Sequence, residues 1–182
     1  MRAPRIALTG GIACGKSLLS RFLNELGVET LDADDIVHEL VPDEERRRLA
    51  KIVFADPARR KELEARIHPL VQARIEDWFS RQPPATTLRL AVIPLLFEVH
   101  WEKKYDIIAC VVSSRGNQIA RMMTARGYSR EEAESRLAAQ MPVEEKAEKS
   151  QYVIRNDGSA ADLRKEAAKF VAWIKEVVRN VG

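Results

Sequence analysis

The chain has 182 residues, 46% hydrophobic and 31% charged, with a formal net charge of +3. That is length enough for one domain with a sizeable core, and the interleaved charges exclude a disordered chain. The positive balance is too mild for a nucleic-acid binder, and no apolar stretch nears the ~20 residues of a membrane span.

A strand starts almost at once, without a signal-peptide pattern, so the expectation is a cytoplasmic protein with no membrane or nucleic-acid partner. Cys14 and Cys110 lie in different elements, with neither C-x-x-C spacing nor a disulfide framework. His38, His68 and His100 stand singly along the chain, which argues against a structural metal site.

Arg5 to Leu8 reads as a buried strand. It leads into Gly10-Gly11-Ile12-Ala13-Cys14-Gly15-Lys16-Ser17, which satisfies G-x-x-x-x-G-K-[ST]. In such a loop successive backbone N–H groups converge on phosphate oxygens. Lys16 is expected between the β- and γ-phosphates of a nucleotide, and the Ser17 hydroxyl on Mg²⁺. A helix over Lys16–Leu26 presents Leu19, Phe22, Leu23 and Leu26 on one face, with Gly27 as its stop. Its N-terminus adds partial positive charge to the cradle. Cys14 in that field is expected to be partly activated and shielded from alkylation by ATP. The plain alternative is a glycine-rich turn that binds nothing.

Val28 to Leu31 forms a second strand, ending in Asp32-Ala33-Asp34-Asp35. Read as extended, this segment places Asp32 and Asp34 on one face, outside the carboxyl end of the strand, where open α/β sheets bind ligands. Asp43 to Leu49 is charge-dense and helical in propensity. Asp56-Pro57 reads as a cap and first helical position of a helix through Ile67, with Pro69 kinking or restarting it. Leu70, Val71, Ile75, Trp78 and Phe79 continue an apolar face, and Pro83-Pro84 ends it.

Leu88–Ile93 and Ile107–Val112 are apolar runs suited to parallel strands covered on both sides. Pro94 forces the chain out of the sheet between them. Ser113 or Ser114 caps a helix to about Arg126, and Ser129-Arg130-Glu131-Glu132 is a capping box for another through Gln140. This pair carries Arg115, Arg121, Arg126, Arg130 and Arg136, with Lys146 and Lys149 just beyond. Alone the pair reads as a solvated basic face. Beside a phosphate cradle it reads as cations for a migrating phosphoryl group. Tyr152 to Ile154 is a fifth strand, and Ser159 caps a final helix bearing Leu163, Phe170, Ile174 and Val178. The order predicts an α/β fold, a doubly wound, mostly parallel five-stranded sheet. The absence of an Asn-Lys-x-Asp sequence argues against a guanine-reading switch, and the acidic cluster with the arginine-rich pair points to a small-molecule kinase.

In that order the chain resembles the dephospho-coenzyme A kinase family. The motifs are Leu8-Thr9-Gly10-Gly11-Ile12, Asp32-Ala33-Asp34, Val53-Phe54-Ala55-Asp56-Pro57, His68-Pro69 and Pro94-Leu95-Leu96-Phe97-Glu98. Gln118-x-x-Arg121, Arg136 with Gln140, and Val153-Ile154-x-Asn156-x-Gly158 complete the set, which spans nearly the whole chain. The resemblance implies transfer of the ATP γ-phosphate to the ribose 3′-hydroxyl of dephospho-coenzyme A, the last step of coenzyme A synthesis. It implies ATP and Mg²⁺ as cofactors; a monomer is the expectation for the chain.

It further implies Asp34 as base or hydroxyl-orienting group. Asp32 then acts through Mg²⁺-bound water or as a structural cap. Gly10 to Leu18, Arg121, Arg136 and Asn156 hold the nucleotide, with Lys16 and Arg136 taking part in catalysis. One domain, 1–182, would contain an acceptor-binding subdomain over 40–82 and lid helices over 114–149. His68 in that subdomain either contacts substrate or packs beside Pro69. Two departures lie in the loop: Cys14 where Ser or Gly is common, and Leu18 where Thr is common. The larger one is a connection between Val41 and Ile52 much shorter than the family's, lacking its Gly-x-Leu-x-Arg stretch. It leaves open a kinase for another nucleoside or nucleotide, or a nucleotide-binding module without catalysis.

Overall fold

The structure, a computed structural model, describes residues 3–41, 57–81 and 88–181. Five strands form one sheet in the order β2-β3-β1-β4-β5: β1 Ile6–Gly10, β2 Val28–Asp32, β3 Leu88–Val92, β4 Ile107–Val112 and β5 Tyr152–Arg155. β1 pairs in parallel with β3, Leu8 opposite Val92, and with β4, Gly10 opposite Val111. β4 pairs in parallel with β5. Because β1 is central, every residue from Ile6 to Gly10 is buried, and the loop after it leaves the sheet at its carboxyl edge.

The helices are α1 Lys16–Glu25, α2 Ala33–Leu40, α3 Pro57–Ser80, α4 Arg115–Arg126, α5 Arg130–Ala138, α6 Val143–Glu148 and α7 Ala160–Val181. Two compact units result, residues 1–30 with 86–182, and residues 31–85. In the first, Leu19, Phe22 and Leu23 of α1 and Leu163, Phe170 and Ile174 of α7 join the sheet in one apolar core. Full burial of each such side chain contributes about 1.5–3 kcal/mol. Arg89 on β3 pairs with Glu29 on β2 at 2.8 Å. In the second unit, α2 packs on α3, with Ile36, Val71 and Ile75 buried.

Three expectations change. Asp32 is the last residue of β2 and the N-cap of α2, its Oδ1 accepting from the N–H of Asp34 at 2.9 Å. Asp34 therefore sits in a helical first turn, not on an extended face with Asp32. The cap decides this, aided by Asp34 and Asp35 at the positive end of the helix. α3 runs unbroken through Pro69, so of the expected kink or restart the restart does not occur. The cost of an interior proline, about 3 kcal/mol, is opposed by buried Val71 and Ile75 one turn apart on the same face. The short α6 was not anticipated at all. The expected helix over 43–49, the Asp56 cap and Pro83-Pro84 lie outside the described residues. No helix among the described residues is long and apolar enough to cross a membrane.

Candidate active site

Gly15 takes a left-handed conformation, φ +96°, which turns the loop into α1. It is the N-cap of α1 and supplies no side-chain acceptor; the first turn holds no acidic residue. The contrast within the molecule is direct. Asp32, Ser114 and Ser129 each give a side-chain oxygen to the first turn of α2, α4 and α5. At α1 the first-turn N–H groups, which have no intrahelical acceptor, are left for an external anion.

The loop's carbonyls, in contrast, are held one by one. Lys16 Nζ donates to the carbonyls of Gly10 and Gly11, each at 2.9 Å. Gln118 Nε2 donates to Ile12 at 2.7 Å, Arg121 to Ala13 at 3.2 Å, and Asn156 Nδ2 to Cys14 at 2.8 Å. Ala13 itself has φ +57°, a conformation costing a non-glycine residue about 1–2 kcal/mol. The N–H of Ile12 donates to Oε1 of Gln140, just beyond α5, at 3.2 Å. Ser17 lies exposed in the first turn of α1, and Leu18 is half-buried against the core.

Arg121 spends its guanidinium on three protein acceptors. Besides Ala13 it donates to Ser113 Oγ at 3.1 Å and to the Asn156 carbonyl at 2.7 Å. Asp157 beside it accepts from the N–H of Ser114 at 2.6 Å, and from Ser113 Oγ and Asn117 Nδ2 at 2.9 Å each. These donors, the Ser114 N–H foremost, hold its carboxyl down at about 2. Strand β5 and helix α4 are thereby fastened together beside the loop.

Arg136 lies in the last turn of α5, its guanidinium 4.3 Å from the ring centroid of Tyr128. Arg126 is exposed at the end of α4. The two lysines grouped with these arginines are otherwise engaged. Lys146 is fully buried, with Nζ 2.7 Å from Glu98 Oε1 and 2.8 Å from the Pro94 carbonyl. Lys149 lies 5.8 Å over the Phe97 ring.

Cys14 is also fully buried, and burial raises its thiol pKa despite the opposing charge of Lys16. The expected activation at the helix end is corrected by this desolvation. Burial likewise pushes Cys110 up to about 12.

In the 31–85 unit, Asp34 is exposed and His68 half-buried on α3. Asp32 is occupied as the cap of α2. The structure thus brings Gly10 to Leu18, Arg121 and Asn156 together in one unit and places Asp32, Asp34 and His68 in the other. The sequence by itself assigns no role to Gln118 or Gln140. One signal was available, since Gln118 and Arg121 lie three apart on a helix and share a face. Nothing in their spacing says what that face meets.

A family model described as dephospho-CoA kinase matches residues 5–46 and 43–162. The chain belongs to the dephospho-CoA kinase family. Among curated relatives, the dephospho-CoA kinase of Symbiobacterium thermophilum is 39% identical, over 92% of this chain and 79% of its own length. That of Geobacter sulfurreducens is 37% identical, over 93% and 97%. A crystal structure of TT1252 from Thermus thermophilus superposes with a TM-score of 0.79 at 35% identity, covering 94% of this chain and 97% of its own. The dephospho-CoA kinase of Campylobacter jejuni gives a TM-score of 0.63 at 27% identity, with the same coverage. A shikimate kinase from Acinetobacter baumannii, at 19% identity and a TM-score of 0.62, shares the fold of these P-loop kinases.

The two stretches matched by the dephospho-CoA kinase model overlap at 43–46, within the 41–52 connection. The Geobacter alignment runs over 196 residues while taking in 93% of a 182-residue chain, so that relative has positions with no counterpart here.

Proposed function

We propose that this chain transfers the γ-phosphate of ATP to the ribose 3′-hydroxyl of dephospho-coenzyme A, giving coenzyme A and ADP. Membership of the dephospho-CoA kinase family over nearly the whole chain supports the acceptor. The single structural observation behind the nucleotide half is the uncapped N-terminus of α1, following a loop whose carbonyls are all engaged elsewhere. The donor set fits ATP and Mg²⁺: backbone N–H groups and an ammonium for phosphates, and an exposed hydroxyl at Ser17 for the metal. Ser17 would hold a bound Mg²⁺, which would supply positive charge to offset that of the phosphates.

In this reading Lys16 gives up the Gly10 and Gly11 carbonyls for phosphate oxygens, and the N–H groups from Ala13 to Leu18 receive the remainder. Asp34 orients the 3′-hydroxyl and accepts its proton as the new P–O bond forms. The bond from the γ-phosphorus to the bridging oxygen breaks, and its electrons leave with ADP. A carboxylate is a weak base, so Asp34 takes the proton late, in a loose transition state. Arg136 neutralises charge on the migrating group. Asp32, as the cap that sets Asp34 in its turn, serves the metal only through water. His68 belongs to acceptor recognition, and Arg121 and Asn156 to the nucleotide side.

The enzyme is proposed to act as a cytoplasmic monomer. Incubation with ATP, Mg²⁺ and dephospho-coenzyme A should yield coenzyme A. Folded protein that forms none would refute the assignment, and a panel of nucleoside and nucleotide acceptors would show whether the shortened connection has changed the acceptor.

A further inference from the structure

Two buried amides grip the nucleotide loop from different elements. Gln118 in α4 is 3% exposed and Asn156, directly after β5, is 6% exposed. Each spends a donor on a loop carbonyl, Gln118 on Ile12 and Asn156 on Cys14. Each also fills the place of a missing side chain. A Cβ on Gly11 would lie 2.6 Å from Nε2 of Gln118, and a Cβ on Gly15 would run into Nδ2 of Asn156. A side chain at either position would thus displace the amide that holds the loop, whatever lies in front of it.

A peptide unit is planar, so the carbonyl of one residue and the N–H of the next point in opposite directions. Holding the Ile12 carbonyl therefore aims the Ala13 N–H the other way, and holding the Cys14 carbonyl does the same for the Gly15 N–H. Between them Arg121 holds the Ala13 carbonyl. Three consecutive peptide planes are fixed from outside the loop, which removes the cost of orienting them when an anion arrives.

We infer that Gln118 and Asn156 are positioning residues for nucleotide binding, acting through the Ile12–Ala13 and Cys14–Gly15 peptide planes. The inference rests on the loop being a nucleotide site. It gives Asn156 an indirect part in that site and gives Gln118 a part that nothing in its own position announces. The amide's donor is what counts, since an apolar side chain of the same shape packs there but leaves the carbonyl unheld.

The test uses the intact chain and ADP as probe, with the neutral near-isosteres Gln118→Met and Asn156→Leu. Titration calorimetry should show wild-type binding, and in each variant an ADP Kd raised about tenfold, the worth of one lost buried hydrogen bond. The KM for dephospho-coenzyme A should stay at the wild-type value, and ADP should raise the thermal midpoint less than in wild type. A merely structural role would instead lower the ligand-free midpoint and leave the Kd alone, which overturns the inference. If wild type binds no ADP, the nucleotide reading itself falls, and this inference with it. Should one variant fail to fold, the other carries the test, because each amide holds a different peptide plane.

Discussion

The ammonium of Lys146, completely buried, lies 2.7 Å from Oε1 of Glu98. The same nitrogen donates to the Pro94 carbonyl, which also accepts from Thr9 Oγ1 at 3.2 Å. Glu98 Oε1 further accepts from the N–H of Met141 at 3.2 Å. One charge pair thus ties α6 and the segment before it to the turn after β3 and the end of β1. The other Glu98 oxygen, Oε2, is buried without a hydrogen bond, so the pair is only partly compensated and depends on Lys146.

Replacing Lys146 by Met should therefore leave Glu98 with only the Met141 N–H, and the Pro94 carbonyl with only the Thr9 hydroxyl. Breaking a buried pair costs about 3–5 kcal/mol, and the partial exposure of Glu98 places this case at or below the lower end. Denaturant melts should show that loss. The double variant Lys146→Met with Glu98→Gln should recover part of it, and equal stability of wild type and the single variant would contradict the role given to the pair.

Asp34→Asn keeps the size and the helical first turn but removes the proton acceptor. A drop in kcat of about 10²–10⁴-fold is expected, with ADP affinity unchanged. Steady-state kinetics beside an ADP titration checks both. Wild-type turnover would remove Asp34 from the chemistry.

Cys14 and Cys110 are both buried, with thiol pKa values raised by burial. Both should resist iodoacetamide at pH 8 in the folded protein, with or without ATP, and react once denaturant opens the fold. Mass spectrometry of labelled peptides would show it. Rapid labelling of Cys14 in native protein, blocked by ATP, would restore the activated thiol that its place in the loop suggests.

Asp157 has a carboxyl pKa lowered from 3.8 to about 2 in the folded state, chiefly by the N–H of Ser114. A depressed folded pKa stabilises above the unfolded value and is lost as pH falls through the folded one. Asp157→Ala should thus melt below wild type at pH 6, and the gap should close between about pH 4 and pH 2. Because the side chain is exposed, screening keeps the effect small. A gap independent of pH would assign the loss to packing.

Much was legible from residue order. Gly10 to Ser17 announces a phosphate loop because its glycines and lysine are local requirements. Uniformly apolar Ile107–Val112 reads as a doubly covered strand, and Ser129 with Glu132 forms the expected capping box. Asp32 misled because an aspartate after a strand can end it or cap a helix, and only the bond to the Asp34 N–H decides. Lys146 misled because a lysine near arginines looks solvated until its burial against Glu98 is seen.

By itself, then, the sequence determined the parallel α/β order, the family and the phosphate loop, all carried by short-range patterns and ordered motifs. The tertiary structure alone decided what stands behind that loop. Gln118 and Asn156 are separated from their acceptors by 106 and 142 positions, respectively. Such contacts follow from where the sheet and α4 place the end of β5, one strand removed from β1, around the loop, which no local pattern encodes. The same holds for Cys14, whose place in the loop suggested an activated thiol and whose burial in the core raises its pKa instead.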